Sequence, residues 1–261
     1  MFLMPEAATD MAGIFIILTT ISVVYGAFGA LAQKDLKYIN AYSSVSHCGL
    51  VLFALLMMNK TAMDGAIIQM ISHGLVTALF FALIGMIYGR THTRMIDEMG
   101  GLMKVIPFLS VIYVIAGLAS LGLPGLSGFV AEMTIFVGAF QHPDTWHRVA
   151  IIIATTSIVV TAVYILRVVG KMLFGQIMEK EYLEYPDAKW YEKISVVVLI
   201  HAALGEREAG DFIEEHAQLA DLRVAVDPLA VHIPARLGKA VPALPDPPAT
   251  KTLPSRRSVA V

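Results

Sequence analysis

One cysteine, Cys48, stands in 261 residues, so an internal disulfide is excluded and a cysteine-based metal or redox centre has no ligands to draw on. Charge is scarce as well. Acidic and basic side chains make up 15% of the chain, 19 basic against 21 acidic, and that near balance offers nothing to nucleic acid. There is no glycine-rich nucleotide fingerprint and no nucleophile motif, so NADH, flavin, iron–sulfur clusters and metals are not expected as cofactors of this chain. The opening MFLMPEAATD has neither a basic n-region nor a small-residue cleavage site, so no signal peptide is expected. What remains is apolar. With 57% hydrophobic residues and a mean hydropathy of +0.69, most of the chain reads as helices embedded in a membrane, with the lipid bilayer as solvent.

Hydropathy predicts transmembrane helices at 11–33, 41–58, 63–88 and 149–174, each near the roughly 20 residues that cross a bilayer. The stretch 105–140 is too long for one crossing, since as a straight helix it would run roughly 54 Å against about 30 Å of hydrocarbon. It carries the breaker Leu123-Pro124-Gly125, so it is either one broken span or two short ones. Loop charges separate these. A single crossing puts Lys34, Lys37, Arg90, Arg94, Lys104, Arg167, Lys171, Lys180, Lys189 and Lys193 on one side and leaves only Lys60 and Arg148 on the other; a hairpin divides them six against six. The positive-inside rule favours the first arrangement, with one discontinuous helix unwound near residues 123–125 and the N-terminus on the periplasmic side.

Glu132 is the residue that needs explaining, because it is the only charged side chain between Val105 and Phe140. A carboxylate in hydrocarbon costs about 3 kcal/mol on insertion scales, and an acid beside a broken helix is the usual form of an ion site. The competing role is a structural hydrogen bond to the unwound backbone. His73, near the middle of its span with Gln69 one turn before it, suits a proton relay; a contact with a neighbouring helix is the alternative. His47, among Ser43, Ser44 and Ser46, reads equally as relay or as polar helix contact. Asp35 and Lys37 read first as interfacial anchors.

Composition changes near residue 201. A short apolar run, 194–204, starts a final helix that the acidic and basic residues after it do not let finish, and the remainder holds seven of the twelve prolines. Residues 1–200 are thus expected to form the membrane domain. Residues 201–261 are expected to be an atypical soluble or disordered tail, arising from a frameshift, a fusion or a genuine extension.

The runs AQKDLKYINAYSSVSHCG, GAIIQMISHGL, YGRTHTR, MGGL and LGLPGLSGFVAE, in this order, resemble the antiporter-like membrane subunits of respiratory complex I. Glutamate at position 132 and the SVSH and THTR runs resemble the M-type subunits of NADH-quinone oxidoreductase; the L-type has lysine there. The resemblance covers about Met11 to Gly175. It implies an all-α polytopic bundle, the second half of an inverted-repeat fold of fourteen helices, without the first repeat and its acid and lysine pair.

The family's eleventh-helix histidine falls on His73 and its twelfth-helix glutamate on Glu132. The implied function is proton translocation in the cell's inner membrane, coupled to quinone reduction in other chains. Those chains would hold NADH, flavin, iron–sulfur and quinone, and the other membrane-arm subunits would be its partners. Two further readings stand beside it: a subunit of a multi-subunit sodium/proton antiporter, and a scaffold whose polar groups only lock helices together.

Overall fold

The structure, a computed structural model, describes residues 5–178 and 180–204. Among them are eight α-helices: α1 Pro5–Ala32, α2 Leu36–Leu56, α3 Lys60–Thr91, α4 Leu102–Val105, α5 Pro107–Ser120, α6 Ser127–Phe140, α7 Thr145–Leu173 and α8 Trp190–Leu204, with a 3₁₀ turn at Lys180–Glu184 before the last. Helices α1, α2, α3 and α7 are long and apolar enough to cross a membrane, and α5 and α6 are shorter apolar helices. The tail expected from residue 201 is helical to Leu204, and its later residues lie outside those described.

Caps decide where these helices start. Asp35 sits in extended backbone and accepts a 2.8 Å hydrogen bond from Lys37 N–H, so α2 begins at Leu36, five residues before hydropathy alone placed it. Asn59 does the same for α3 by accepting from Ala62 N–H at 2.7 Å. Pro107 opens α5 at its first turn, where a missing N–H costs nothing.

One end of the bundle is tied by loops. Asp35 and Met95 form an isolated antiparallel bridge, Arg167 donates to Gln33 O at 2.7 Å, and Gly101 N–H donates to Phe174 O at 3.2 Å. Asp97 there takes both Lys171 at 2.5 Å and Lys34 at 2.9 Å, and these contacts, led by the Lys171 hydrogen bond, pull its carboxyl down to about 2. Its charge persists through the neutral range, and this tie is released only as pH falls through about 2.

At the opposite end Asn59 Nδ2 donates to Gly138 O at 2.7 Å, and Thr61 meets Gln141 at 3.2 Å. Since α4 leads in from the first end and α6 finishes at the second, α5 and α6 together make one crossing. The loop charges had favoured that arrangement on electrostatic grounds.

Large side chains face outward as well as inward: Ile14, Phe15, Ile17, Leu18 and Ile21 of α1 are all more than half exposed, as a bilayer solvent allows. Inside are two apolar clusters. One holds Leu36 and Ile39 of α2, Val76 to Ile87 of α3 and Tyr164 to Leu173 of α7; the other holds Leu50 to Ala54 of α2, Ala62 and Ala66 of α3, Ile135 of α6 and Ile151 of α7. Between them, on the same helices, lie Ser43, Ser46, His47, Gln69, Ser72, Ser157 and Thr161, all buried. A polar layer therefore divides the apolar bundle partway along its length. Helices α3 and α6 meet closely beside it, where a Cβ on Gly65 would stand 2.7 Å from Ile135 N, the small-residue contact typical of membrane helices.

Candidate functional site

Glu132 sits in this layer, 7% exposed, one turn into α6. Its Oε1 lies 3.6 Å from Nδ1 of His47, which α2 delivers from three turns past its start. That same Nδ1 is 3.1 Å from Gln69 Nε2 on α3, so the amide and the carboxyl approach one ring nitrogen. The His47 and His73 rings lie 4.9 Å apart, and His73 Nε2 is 2.9 Å from Ser44 Oγ. Thr77 stands 3.3 Å from the same nitrogen of His73. An acid, an amide, two imidazoles and two hydroxyls thus form a row from the buried α6 to the half-buried His73. Hydroxyls and imidazoles both accept and donate, which is what proton relay between fixed groups requires.

Two small polar cavities flank the carboxyl. One is lined by Ser46, His47, Ser120, Glu132, Ser157 and Thr161, the other by His47, Gln69, Ser72, His73, Ser120 and Glu132. Each has room for about a single water. Gln69 Oε1 is buried with no hydrogen-bond partner in the protein, and an orphan acceptor beside a polar cavity is where a water belongs.

The break between α5 and α6 covers residues 121–126 and includes the expected Leu123, Pro124 and Gly125. Gly125 has φ +95, and Gly122, which the motif reading passed over, has φ +62. Both are left-handed conformations that glycine adopts without strain. Gly122 has a second duty: a Cβ there would stand 2.7 Å from Glu132 Oε2, so the missing side chain makes the seat for the carboxyl. Where the helix resumes, Ser127 Oγ donates to Ala203 O at 2.6 Å and meets Ser72 Oγ at 2.8 Å, joining α6 to α8 and α3.

Glu132, His73 and His47 are therefore brought together. Asp35 and Lys37 are not; Asp35 caps α2 and lies 3.4 Å from Arg94 at the tied end of the bundle. Four residues have roles that the sequence reading did not assign, Arg90 having been counted there only as a loop charge. Tyr164 OH donates to Ser43 Oγ at 2.9 Å, while Ser127 and Gly122 act as described. Arg90 is buried and bonds Glu192 at 2.6 Å with the carbonyls of Met86, Pro186 and Asp187, holding α3 to α8. A serine near the break and an arginine in an apolar helix are readable as polar residues, but their partners are distant in sequence.

A multi-span bundle that keeps a carboxyl, two imidazoles and an amide in a polar layer beside a helix break has the build of membrane proteins that handle ions. The chain belongs to the NADH:quinone oxidoreductase/Mrp antiporter transmembrane family, which residues 1–166 match. It is 37% identical over 198 residues to NADH-quinone oxidoreductase subunit M of Rickettsia conorii, covering 76% of this chain and 39% of that protein. To NAD(P)H-quinone oxidoreductase chain 4 3 of Trichormus variabilis it is 36% identical over 208 residues, covering 78% and 39%.

Among solved structures it resembles a chain of respiratory complex I from Thermus thermophilus with bound NADH. The TM-score is 0.70 at 28% identity, covering 77% of this chain and 42% of that one. A chain of the Mrp complex from Dietzia shares the fold, with TM-score 0.61 at 22% identity over 65% and 31% of the two chains. This chain spans about two fifths of the length of the curated relatives it matches.

Proposed function

We propose that the chain works as part of a proton-translocating membrane subunit of the NADH-quinone oxidoreductase type, passing protons between Glu132, His47 and His73. The observation that carries this reading is the row of exchangeable groups that begins at Glu132, the single carboxyl in the polar layer among the described residues. A scaffold needs hydrogen bonds but no titrating acid. Here Glu132 Oε1 stands 3.6 Å from His47 Nδ1, beyond a good hydrogen bond, a spacing that a small movement or a water closes.

In this reading the redox chemistry takes place in other chains, and the chain itself holds no NADH, flavin, iron–sulfur centre or quinone. A charge or shape change arriving along the membrane arm alters the surroundings of the His47–Glu132 pair. Glu132 gives up its proton on one side of that change and takes another through His73, Ser44 and water on the other side. The carbonyls and helix ends freed at 121–126 solvate the proton near the break. The domain of residues 1–200 lies in the inner membrane beside other membrane-arm subunits, with its N-terminus periplasmic.

Antiporter chemistry is the second reading, supported by the family's Mrp members and the Dietzia likeness. Sealed vesicles carrying the full-length subunit in its complex separate the two. Proton uptake on NADH addition should be unchanged when sodium is replaced by potassium. His73→Ala should slow it by less than the loss of Glu132, since water can stand in for a relay imidazole. A strict sodium requirement would move the assignment to the antiporter.

Orientation has its own check. A reporter fused after Arg148 should read periplasmic and one after Gly175 cytoplasmic, following the ten-to-two division of basic residues. The reverse at both positions would invert the pathway.

A further inference from the structure

The corner between α6 and α7, Gln141-His142-Pro143-Asp144-Thr145-Trp146-His147, holds a cluster that the proton row does not use. The side-chain ligand atoms of His142, Asp144 and His147 all lie within 4.8 Å of one another. Asp144 Oδ2 is 3.5 Å from His147 Nδ1 and 3.8 Å from His142 Nδ1, and the two rings are stacked with centroids 3.7 Å apart. We propose that His142, Asp144 and His147 form a binding site for a divalent cation of the zinc type, with water completing its shell.

Three observations point the same way. First, Asp144 occupies the N-cap position of α7 in extended backbone, yet its carboxylate makes no capping hydrogen bond. An aspartate at an N-cap ordinarily turns back to the first free N–H groups of its helix; this one faces two imidazoles instead.

Second, His147 is buried, 8% exposed, and its Nδ1 has no hydrogen-bond partner although the Asp144 carboxylate is close. A buried ring nitrogen without a partner is costly unless something takes its lone pair. Third, the spacing is near that of the ion: ligand atoms at about 2.0–2.1 Å from a tetrahedral centre stand about 3.3 Å apart, so the two separations from Asp144 need to close by a few tenths of an ångström, while the stacked rings, whose ligand atoms lie within 4.8 Å, must turn to aim both lone pairs at one point.

Two imidazoles and a carboxylate are the mixed nitrogen and oxygen donor set that zinc accepts with one position left open. Competing charges are few. Arg148 is spoken for by the loop, its Nε donating to His142 O at 3.2 Å. His142 Nδ1 accepts a long 3.3 Å bond from Asp144 N–H, a weak contact that an ion must displace to take that lone pair. The positive end of α7 opposes a cation, and the negative charge of Asp144 offsets it. An ion here would bridge the end of α6, the helix of Glu132, to the start of α7.

The test is titration of Zn²⁺ alone into the purified full-length chain in detergent, followed by calorimetry, with Co²⁺ absorption as a second probe. The expected result is one saturable equivalent per chain and tetrahedral-type visible bands with cobalt. Its dissociation constant should rise at least about tenfold in His142→Ala and in Asp144→Asn, since losing even a supporting partner of a metal ligand costs about 10–100-fold. His142 is only partly buried, so its variant should keep the thermal unfolding profile of the parent and remain interpretable if a His147 variant does not fold. No saturable uptake, or equal affinity in the parent and both variants, overturns the proposal.

Discussion

Glu132→Gln, placed in a full-length subunit within its complex, is expected to leave assembly intact and to cut coupled proton transfer by roughly tenfold or more. Glutamine keeps the length of the side chain and its ability to reach His47, so any role limited to packing or hydrogen bonding survives. What it cannot do is take and release a proton. The neighbours make this a clean substitution: His47 and Gln69 offer both donor and acceptor atoms, and Gly122 leaves room for either head group. Glu132→Asp should keep part of the activity, since a carboxyl remains but is drawn back by one methylene from His47. The measurement is the ratio of protons moved to NADH oxidised in sealed vesicles. A normal ratio in Glu132→Gln would make the residue a structural acid and end the proposal.

The second large effect is expected at Gly122, with Gly125 as its control. Alanine at either position meets a left-handed backbone, at a cost of roughly 1–2 kcal/mol. Only at Gly122 does the new Cβ also meet the Glu132 carboxyl, at 2.7 Å; at Gly125 nothing lies within 4 Å. Gly122→Ala should therefore lose most proton transfer, because the acid is pushed off its seat, while Gly125→Ala should unfold somewhat earlier on heating yet still pump. Thermal unfolding of the purified subunit and vesicle assays of both variants decide it. Equal losses of proton transfer in the two would mean that the turn's conformation matters and the seat does not.

Much of this fold was legible because a bilayer leaves few choices. Runs of apolar residues marked α1, α2, α3 and α7, Pro124 and Gly125 marked the break, and the uneven lysine and arginine count led to one crossing in place of two. The helix starts were less legible, since Asp35 and Asn59 set them through side-chain caps that hydropathy does not register. At the site, Glu132 and His73 declared themselves by lying alone in apolar sequence. His47 did not: its serine neighbours suited a passive contact as well as a relay, and only the crossing of α2 against α6 puts its ring 3.6 Å from the acid. Gly122 was hidden for a different reason, because the need for a missing Cβ arises from a side chain ten residues further along. The histidines and aspartate of 142–147 were readable as a spacing, but that spacing says nothing of the unpartnered nitrogen that gives it meaning.

The double use of Asn59 has a mechanical consequence. Its carbonyl starts α3 and its amide holds the far end of α6, while Ser72 and Ser127 bind the same two helices at the near end and Gly65 lets their backbones touch between. Pinned at both ends and the middle, α3 and α6 behave as one stiff beam, and Glu132 and Gln69 ride on it in constant register. Helix α2 carries His47, and the side-chain hydrogen bonds it makes to the beam, His47 with Gln69 and Ser44 with His73, run to α3. The slack in the layer is then the 3.6 Å between His47 on α2 and Glu132 on α6, where a displacement of a few tenths of an ångström makes or breaks a hydrogen bond, in the manner of a clutch.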